Sequence, residues 1–227
     1  MKISKRIKCI EQHIQDHYQH IWDCCCDHGF LGGLLLETKR APHIHFVDIV
    51  PSIMIQLERQ LEQFFPLNTP SGTSWHVHCQ DVASIDLQAF KHDAHLVVIA
   101  GVGGELTAHL VKHISHAHPE INLEFLLCPV NHSYKLRHTL INARLGLKSE
   151  FLIEENQRFY EVIHVSSRSA TPISPVGDGL WQSNEAAQHH YLSKLLKHYK
   201  KSSQQSSLDN DAYVAYQSLY HQLNNAL

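Results

Sequence analysis

The sequence predicts an α/β fold: a seven-stranded, mostly parallel, doubly wound sheet whose last strand is antiparallel. Between residues 20 and 166, short apolar runs typical of buried strands alternate with amphipathic segments typical of helices. In the stretch 21–34, IWDCCCDHGFLGGL, a buried run stops at a small-residue turn and restarts as a helix. The runs KSEFLIEEN and RFYEVIHVS leave no room for a helix between them, so they predict an antiparallel hairpin.

The individual elements follow from hydrophobic spacing. Ile3, Ile7, Ile10 and Ile14 fall on one helical face, which predicts an amphipathic helix over 3–19. Further helices are predicted at 30–38, 51–64, 104–116 and 133–144. Strands are predicted at 20–26, 44–48, 75–80, 95–100, 123–128, 148–155 and 159–166. A short helix is expected between the third and fourth strands.

The composition changes after this predicted sheet. Ser, Pro, Gly and Thr are frequent from Ser166 to Gly179, and we expect a linker over 167–179. Beyond it, apolar residues at helical spacing predict a helical hairpin over 180–227. The hairpin has too few apolar layers for a core of its own, so we expect it to dock on the preceding domain, 1–166, or on a partner.

The composition bounds the class of protein. The 227 residues are 43% hydrophobic and carry a formal charge of -3, which indicates a globular chain. A nucleic-acid partner would therefore need a local basic patch. There is no run of about 20 apolar residues, so we expect no membrane span and a cytoplasmic location. The six cysteines lack paired CxxC spacing and are interpreted as reduced thiols.

Polar residues cluster just past the predicted strand ends, where open α/β sheets bind ligands. They are Asp23, Asp27, His28, Asp48, Asp81 and Asn131. Each has a structural alternative as a helix cap, a turn residue or a solvated side chain. Together with the glycines after the fourth strand, they indicate a ligand site. Asp48 is placed to accept ribose hydroxyls and Asp81 to bind an adenine edge. A dinucleotide fold is disfavoured, because CCCDHG replaces GxGxxG after the first strand.

A parallel sheet that ends in an antiparallel strand is the arrangement of class I methyltransferases, which are Rossmann-like. In such a site, Asp23 and the turn after it face the amino-acid end of S-adenosylmethionine. Four segments, in order, also resemble motifs of the bacterial tRNA (adenine-22, N1) methyltransferases. These segments are DCCCDHGFLG at Asp23–Gly32, IAGVGG at Ile99–Gly104, CPVNHSYKLRHTL at Cys128–Leu140 and ENQRFYEV at Glu155–Val162. The resemblance spans about 3–166, and 180–226 resembles the family's carboxyl-terminal hairpin in layout.

The resemblance implies a tRNA substrate, S-adenosylmethionine as methyl donor and methylation of adenine N1. The residues that it implies for the cofactor are Asp23, Cys25, Asp48, Ile49, Asp81, Val82, Ala100 and Gly101. It places Asp27, His28 and Asn131 at the target base, and Gly103 and Gly104 beside the substrate. One position departs from the family: Cys25 stands where the family has a glycine. A glycine there commonly serves a positive φ or a close approach of the cofactor, so weaker cofactor binding is one expectation.

The chemistry of the reaction gives Asp27 a role. Methylation of N1 creates a cation, so a nearby carboxylate would stabilise the developing charge and could relay a proton from the exocyclic amine. Enzymes that methylate an exocyclic amine usually carry Asn or Asp with Pro-Pro after the fourth strand. This chain has GVGG there instead.

Basic residues supply the positive surface that RNA needs. The candidates are Lys5, Arg6, Lys8, Arg137, Arg144, Lys148, Lys194, Lys197, Lys200 and Lys201. Lys194, Lys197 and Lys201 share one helix face, which favours a phosphate track, and Arg137 is expected to contact the substrate near the strand edge. The alternative for each group is an ordinary solvated helix face.

Three HxH pairs, beginning at His43, His76 and His116, could each present two metal ligands. No third ligand is identifiable, so no metal is expected. Two further functions remain open: methylation of another RNA or a small molecule, and a non-catalytic protein that binds RNA or the cofactor. The oligomeric state is not indicated.

Overall fold

The computed structural model describes residues 3–66, 73–182, 185–204 and 206–225. The strands are β1 (His20–Cys24), β2 (His43–Asp48), β3 (Ser74–Cys79), β4 (His95–Ala100), β5 (Leu123–Cys128), β6 (Gly146–Glu155) and β7 (Arg158–Ser166). The helices are α1 (Lys5–Gln12), α2 (Phe30–Glu37), α3 (Pro51–Phe64), α4 (Gly104–Ala117), α5 (Ser133–Asn142), α6 (Ala186–Ser202) and α7 (Ser207–Asn225). None of the helices in these ranges is long and apolar enough to cross a membrane.

The seven strands form one sheet in the order β3-β2-β1-β4-β5-β7-β6. β1 pairs in parallel with both β2 and β4, whereas β7 pairs antiparallel with both β5 and β6. This confirms the predicted doubly wound sheet. The strand order reverses between β1 and β4, so their carboxyl ends border the crevice where such sheets bind ligands.

Alternate residues of the central strands supply the two apolar layers of the core. In β4, Leu96 and Val98 belong to one layer and Val97 and Ile99 to the other, and all four are fully buried. Burial on both faces explains why these strands are continuous apolar runs in the sequence.

The first helix is shorter than predicted. α1 ends at Gln12, whereas the sequence indicated a helix over 3–19. The apolar spacing misled because Ile14 and Tyr18 are buried but lie in turns that follow the helix. The chain tightens there, since the Ile14 N–H donates to Glu11 O in a three-residue turn at 3.1 Å.

Two short 3-10 turns, Val82–Ser84 and Gln88–Phe90, stand in the connection from β3 to β4, where a short helix was predicted. The sheet face beside them carries a histidine cluster, whose members are His20, His43, His45, His76, His78 and His95. His45 is 2% exposed, stacks on the Trp22 ring at 3.8 Å, and is within hydrogen-bond distance of His20 (2.9 Å) and His78 (3.0 Å). In the described ranges, no group of three or more His, Cys, Asp or Glu side chains is placed to hold a metal ion.

The histidine cluster makes stability depend on pH. Burial, followed by the charges of neighbouring imidazoles, lowers the pKa of His45 to about 2. Burial lowers the pKa of His20 to about 4, although Asp93 at 3.2 Å opposes this. Because both folded pKa values lie below the unfolded value of about 6.5, their contribution to stability is complete above that pH. It is lost as the pH falls towards the folded values.

We therefore expect the free energy of unfolding to decrease steadily from pH 6.5 to pH 4.5 in urea titrations. His45→Gln should reduce that slope by about 1.4 kcal/mol per pH unit, the equivalent of one proton. His109→Gln, in α4 outside the cluster, is the control and should leave the slope unchanged. Equal slopes for the wild type and His45→Gln would contradict the assignment.

The carboxyl-terminal helices form the predicted hairpin and dock on the sheet domain. Tyr199 of α6 stacks on Tyr216 of α7 at 5.6 Å, and both rings contact Tyr134 of α5. Parts of the predicted hairpin, 183–184, 205 and 226–227, lie outside the described residues. The predicted linker, 167–179, lies against the sheet: Leu147 N–H donates to Thr171 O at 2.8 Å, and Ile173 is buried. The division into 1–166, 167–179 and 180–227 stays a prediction.

Candidate active site

The turn after β1 is organised by the buried carboxylate of Asp23. Its Oδ2 accepts a hydrogen bond from the Gly32 N–H, in the first turn of α2, at 2.8 Å. The ring of Phe46 packs so close to Gly32 that a Cβ would not fit there. Burial raises the pKa of Asp23 to about 7, although the Gly32 N–H lowers it and the charge of Asp48 adds to the rise. Asp23 therefore changes charge near neutral pH.

Cys25 and Asp27 shape the same turn, because both have a left-handed backbone, with φ values of 57° and 48°. The left-handed region favours glycine, so a glycine at position 25 would adopt this backbone conformation without strain. Burial, and then the charges of Asp48, Asp23 and Asp81, raise the pKa of the Cys25 thiol to about 11. The thiol is therefore neutral, and the carboxylates whose charges act on it come from the ends of three strands.

Asp48, at the end of β2, is held by two backbone donors. Its Oδ2 accepts from the Asp27 N–H at 3.1 Å and its Oδ1 from the Val50 N–H at 3.2 Å. These bonds fix the carboxylate at the carboxyl edge of the sheet and link it to the turn after β1. Free lone pairs on both oxygens can still accept hydrogen bonds from a ligand.

A cavity of about 430 Å³ opens beside these carboxylates, within the size range of small-molecule sites. We call it the cofactor cavity. Among the residues predicted from sequence, its lining includes Asp23, Cys25, Asp27, His28, Asp48, Ala100 and Gly101. Gly101 has a φ of 93°, and within the described part of the chain the Arg6 guanidinium is the one group that would approach a Cβ there, at 3.9 Å. A ligand can thus approach the backbone at the end of β4 closely.

Arg6 is a residue of this site that the sequence interpretation assigned to the RNA surface. It lines the cofactor cavity together with Ile7 and Ile10, so α1 forms one wall. The guanidinium also lies 4.6 Å from the centre of the Tyr160 ring. The signal that could have revealed this role is the position of Arg6 on the same side of α1 as the buried Ile10.

The mouth of the cofactor cavity carries Asp27, His28 and Phe30. The Asp27 and His28 side chains are 66% and 51% exposed, and Asp27 Oδ1 lies 3.7 Å from His28 Nε2. Phe30 is 40% exposed, and its ring is 5.8 Å from the His28 ring. A carboxylate beside two flat rings suits the recognition of a nucleobase.

Other predicted cofactor residues lie outside the cavity lining. Asp81 caps the first 3-10 turn, where its Oδ1 accepts from the Ala83 N–H at 2.9 Å. The Val82 side chain is buried in the core, and Ile49 is 65% exposed beside Asp48.

The loop after β5 brings Asn131 to a neighbouring cavity rather than to the cofactor cavity. The Gly104 N–H donates to Asn131 O at 3.0 Å, and Gly104 is buried. Gly104 therefore packs at the start of α4, and its predicted place beside the substrate stays a prediction. Gly103 lies beside the Asn131 side chain.

Arg137 is not on the surface, which corrects its prediction as a substrate contact. The side chain is 0% exposed and pairs with Glu150 at 2.6 Å and with Glu161 at 2.8 Å. Burial lowers the pKa of Arg137, but the charges of Glu161 and Glu150 outweigh this and raise it above the ordinary value. Lys194, Lys197 and Lys201 are exposed on α6, as a phosphate track requires.

Comparisons with known proteins agree with this geometry. A family model described as a methyltransferase domain matches residues 3–163. The tRNA (adenine(22)-N(1))-methyltransferase of Bacillus subtilis (strain 168) is 24% identical over 163 residues, which are 72% of this chain and 64% of that protein. The matched region thus spans less than two thirds of the length of this relative.

Solved structures share the fold across nearly the whole chain. The B. subtilis m1A22 tRNA methyltransferase TrmK superposes with a TM-score of 0.72 at 20% identity, covering 99% of this chain and 98% of that chain. M. capricolum TrmK, in complex with S-adenosyl-homocysteine, gives a TM-score of 0.71 at 15% identity, covering 100% of this chain and 98% of that chain. With its sheet order, its carboxylate-lined cavity and the match over 3–163, the chain belongs to the methyltransferase domain family.

Proposed function

We propose that this protein is an S-adenosylmethionine-dependent methyltransferase that methylates N1 of an adenine in tRNA, at position 22 as in the relatives' names. The observation that carries the proposal is the cofactor cavity. A buried carboxylate from β1 and a half-buried one from β2, both hydrogen-bonded, form its inner wall, and the exposed carboxylate of Asp27 lies at its mouth.

The residues of the cavity fit this cofactor. The two oxygens of Asp48 are oriented by backbone N–H groups and suit the two ribose hydroxyls. Val50 in the cavity lining, and Ile49 next to it outside the lining, offer exposed apolar surface for the adenine ring. Asp23, ionised above a pH of about 7, favours a cationic amino-acid end, and Arg6 is placed for a carboxylate.

S-adenosylmethionine, when bound, supplies a methyl group that a nitrogen lone pair can attack in line with the carbon–sulfur bond. The protein's part is to orient the adenine and to stabilise charge. Asp27 faces the side from which the base enters, and its carboxylate stabilises the positive charge that N1 acquires with the methyl group. Phe30 and His28 provide flat surfaces that hold the ring in place.

The hairpin supports an RNA substrate. Lys194, Lys197 and Lys201 lie on the exposed face of α6 and form the phosphate track. Because the chain as a whole is acidic, with a formal charge of -3, this local patch supplies the attraction for RNA. A tRNA substrate also agrees with the expected cytoplasmic location.

Methyl transfer to unmodified tRNA tests the proposal. With labelled S-adenosylmethionine, the wild type should form 1-methyladenosine in digested tRNA, and a tRNA with guanine at position 22 should accept no label. Label in another nucleoside would replace the adenine N1 assignment. Cofactor binding with no transfer to any tRNA would favour the non-catalytic alternative.

The affinity for the cofactor should depend on the side chain at position 25. Residue 25 has a φ of 57°, and a β-branched residue is strained in this conformation. The Cys25→Val variant should therefore bind the cofactor about tenfold more weakly. Cys25→Gly should bind at least as tightly as the wild type. Titration calorimetry with S-adenosylmethionine measures both, and weaker binding by Cys25→Gly would show that the thiol itself contacts the cofactor.

A further inference from the structure

A groove lies beside the cofactor cavity, between the loop after β5, the β6–β7 turn and α6. It consists of two adjoining cavities of about 320 Å³ each, which share Val130, Phe159, Tyr191 and Lys194 as lining residues. We call it the α6 groove. The family match over 3–163 assigns no ligand to the α6 groove. The site residues predicted from sequence include some of its lining residues but do not treat the groove as one binding site.

The lining of the α6 groove is aromatic and cationic. Phe159 is half-buried, and its ring leans on Tyr191 at 5.2 Å. Lys194 Nζ lies 5.0 Å from the centre of the Phe159 ring and donates to Gln157 O at 2.8 Å. This bond leaves two ammonium donors for a ligand. Arg158 and His198 add basic groups, and the described lining contains no carboxylate.

The α6 groove adjoins the proposed position of the target adenine. Val102 lines the cofactor cavity and accepts a hydrogen bond from the Val130 N–H at 2.9 Å, and Val130 lines the groove. Arg6 of the cofactor cavity covers Tyr160 of the groove. The linings of the two concave regions are therefore in direct contact through these two pairs of residues. Asn131 lines the groove at the end near α5.

We propose that the α6 groove binds the nucleotide next to the methylated adenine, with its base against Phe159 and its phosphate on Lys194. This inference rests on the proposed function. An enzyme that acts on a base edge must take that base out of its stack, so the neighbouring nucleotide loses a stacking partner. A protein aromatic ring can replace that partner, and a nearby cation can hold the backbone. The Asn131 amide, which both donates and accepts, can then bind a base or sugar edge.

Abasic substitution tests the proposal directly. Two tRNAs would each carry an abasic nucleotide on one side of the target adenine, and binding to the wild type and to Phe159→Leu would be measured. Leucine keeps apolar contact with Tyr191 but has no flat face for a base. Phe64→Leu, in α3 and 68% exposed, is the matched control.

We expect one of the two abasic tRNAs to bind the wild type and Phe64→Leu about 5- to 100-fold more weakly than intact tRNA, the range of a lost base–aromatic stack. In Phe159→Leu this penalty should shrink at least fivefold. A penalty of the same size in Phe159→Leu, or no penalty in the wild type, would overturn the proposal.

The lysine has its own test. Lys194→Gln should reduce the salt dependence of tRNA binding by about one ion, whereas Lys112→Gln, on α4, should not. An unchanged salt dependence in Lys194→Gln would show that Lys194 does not bind a phosphate in the groove. Cofactor affinity serves as the folding check for all variants.

These outcomes are separate from those of the proposed function. If the wild type forms 1-methyladenosine in intact tRNA and the abasic penalty does not depend on Phe159, the groove assignment fails and the function stands. If the wild type transfers no methyl group to intact tRNA, the proposed function itself fails.

Discussion

Asp27→Asn is expected to lower kcat for tRNA methylation by about 100- to 1,000-fold, the effect of losing one preorganised charge at a developing cation. Asparagine is the suitable replacement, because Asp27 has a φ of 48° and asparagine accepts a left-handed backbone better than alanine does. The Asp27 N–H that binds Asp48 is retained. Single-turnover methyl transfer with saturating tRNA measures the loss in the chemical step.

The affinity for S-adenosylmethionine should change by no more than about threefold, since the interaction with Asp27 matters in the transition state rather than in the ground state. Asp86→Asn, at an exposed aspartate outside the cofactor cavity, is the matched control and should keep its rate. A parallel loss of cofactor affinity would instead make Asp27 part of the cofactor site. A full rate in Asp27→Asn would show that its charge takes no part in the reaction.

Arg137→Met is expected to destabilise the protein by about 3–5 kcal/mol, because it leaves Glu150 and Glu161 buried without their counter-charge. For a chain of 227 residues this corresponds to a fall in Tm of about 10 °C. Thermal unfolding followed by circular dichroism gives the value.

The triple variant Arg137→Met, Glu150→Gln, Glu161→Gln separates charge from packing. It should recover most of the lost Tm, since neutral residues of similar volume have no unpaired charge. Lys135→Met removes the exposed pair with Glu105 and should leave Tm nearly unchanged. A single Arg137→Met variant as stable as the wild type would contradict the role of Arg137 as the counter-charge of these carboxylates.

The sequence predicts the sheet well because its strands are buried on both faces. The predicted strands 95–100 and 123–128 coincide with β4 and β5, and the predicted helix 51–64 coincides with α3. Each is bounded by a local signal, such as Pro51 at the start of α3. The carboxylates Asp23 and Asp48 converge as expected, because parallel strands end at one edge.

Features set by distant parts of the chain were not predictable from local patterns. From the sequence alone, Arg137 looks like a surface cation, because folding is what brings its partners Glu150 and Glu161 next to it. Arg6 shares a helix face with the buried Ile10, but the packing of α1 that brings it to the other residues of the cofactor cavity depends on distant parts of the chain. The end of α1 could not be predicted from the sequence, because Ile14 continues the helical spacing of apolar residues but lies outside the helix.

The buried cluster around Arg137 also fixes the position of α6 relative to α5 and β7. Tyr191 of α6 donates to Glu161 of β7 at 2.7 Å, and the same carboxylate pairs with Arg137 of α5. The helix that carries the phosphate track is thus joined, through buried polar contacts, to the helix that follows Asn131. The distance between the lysines of α6 and the loop that carries Asn131 is therefore set by buried contacts within the protein. For the proposed RNA substrate, a fixed distance of this kind would limit which nucleotide can reach the target position while the lysines hold the backbone.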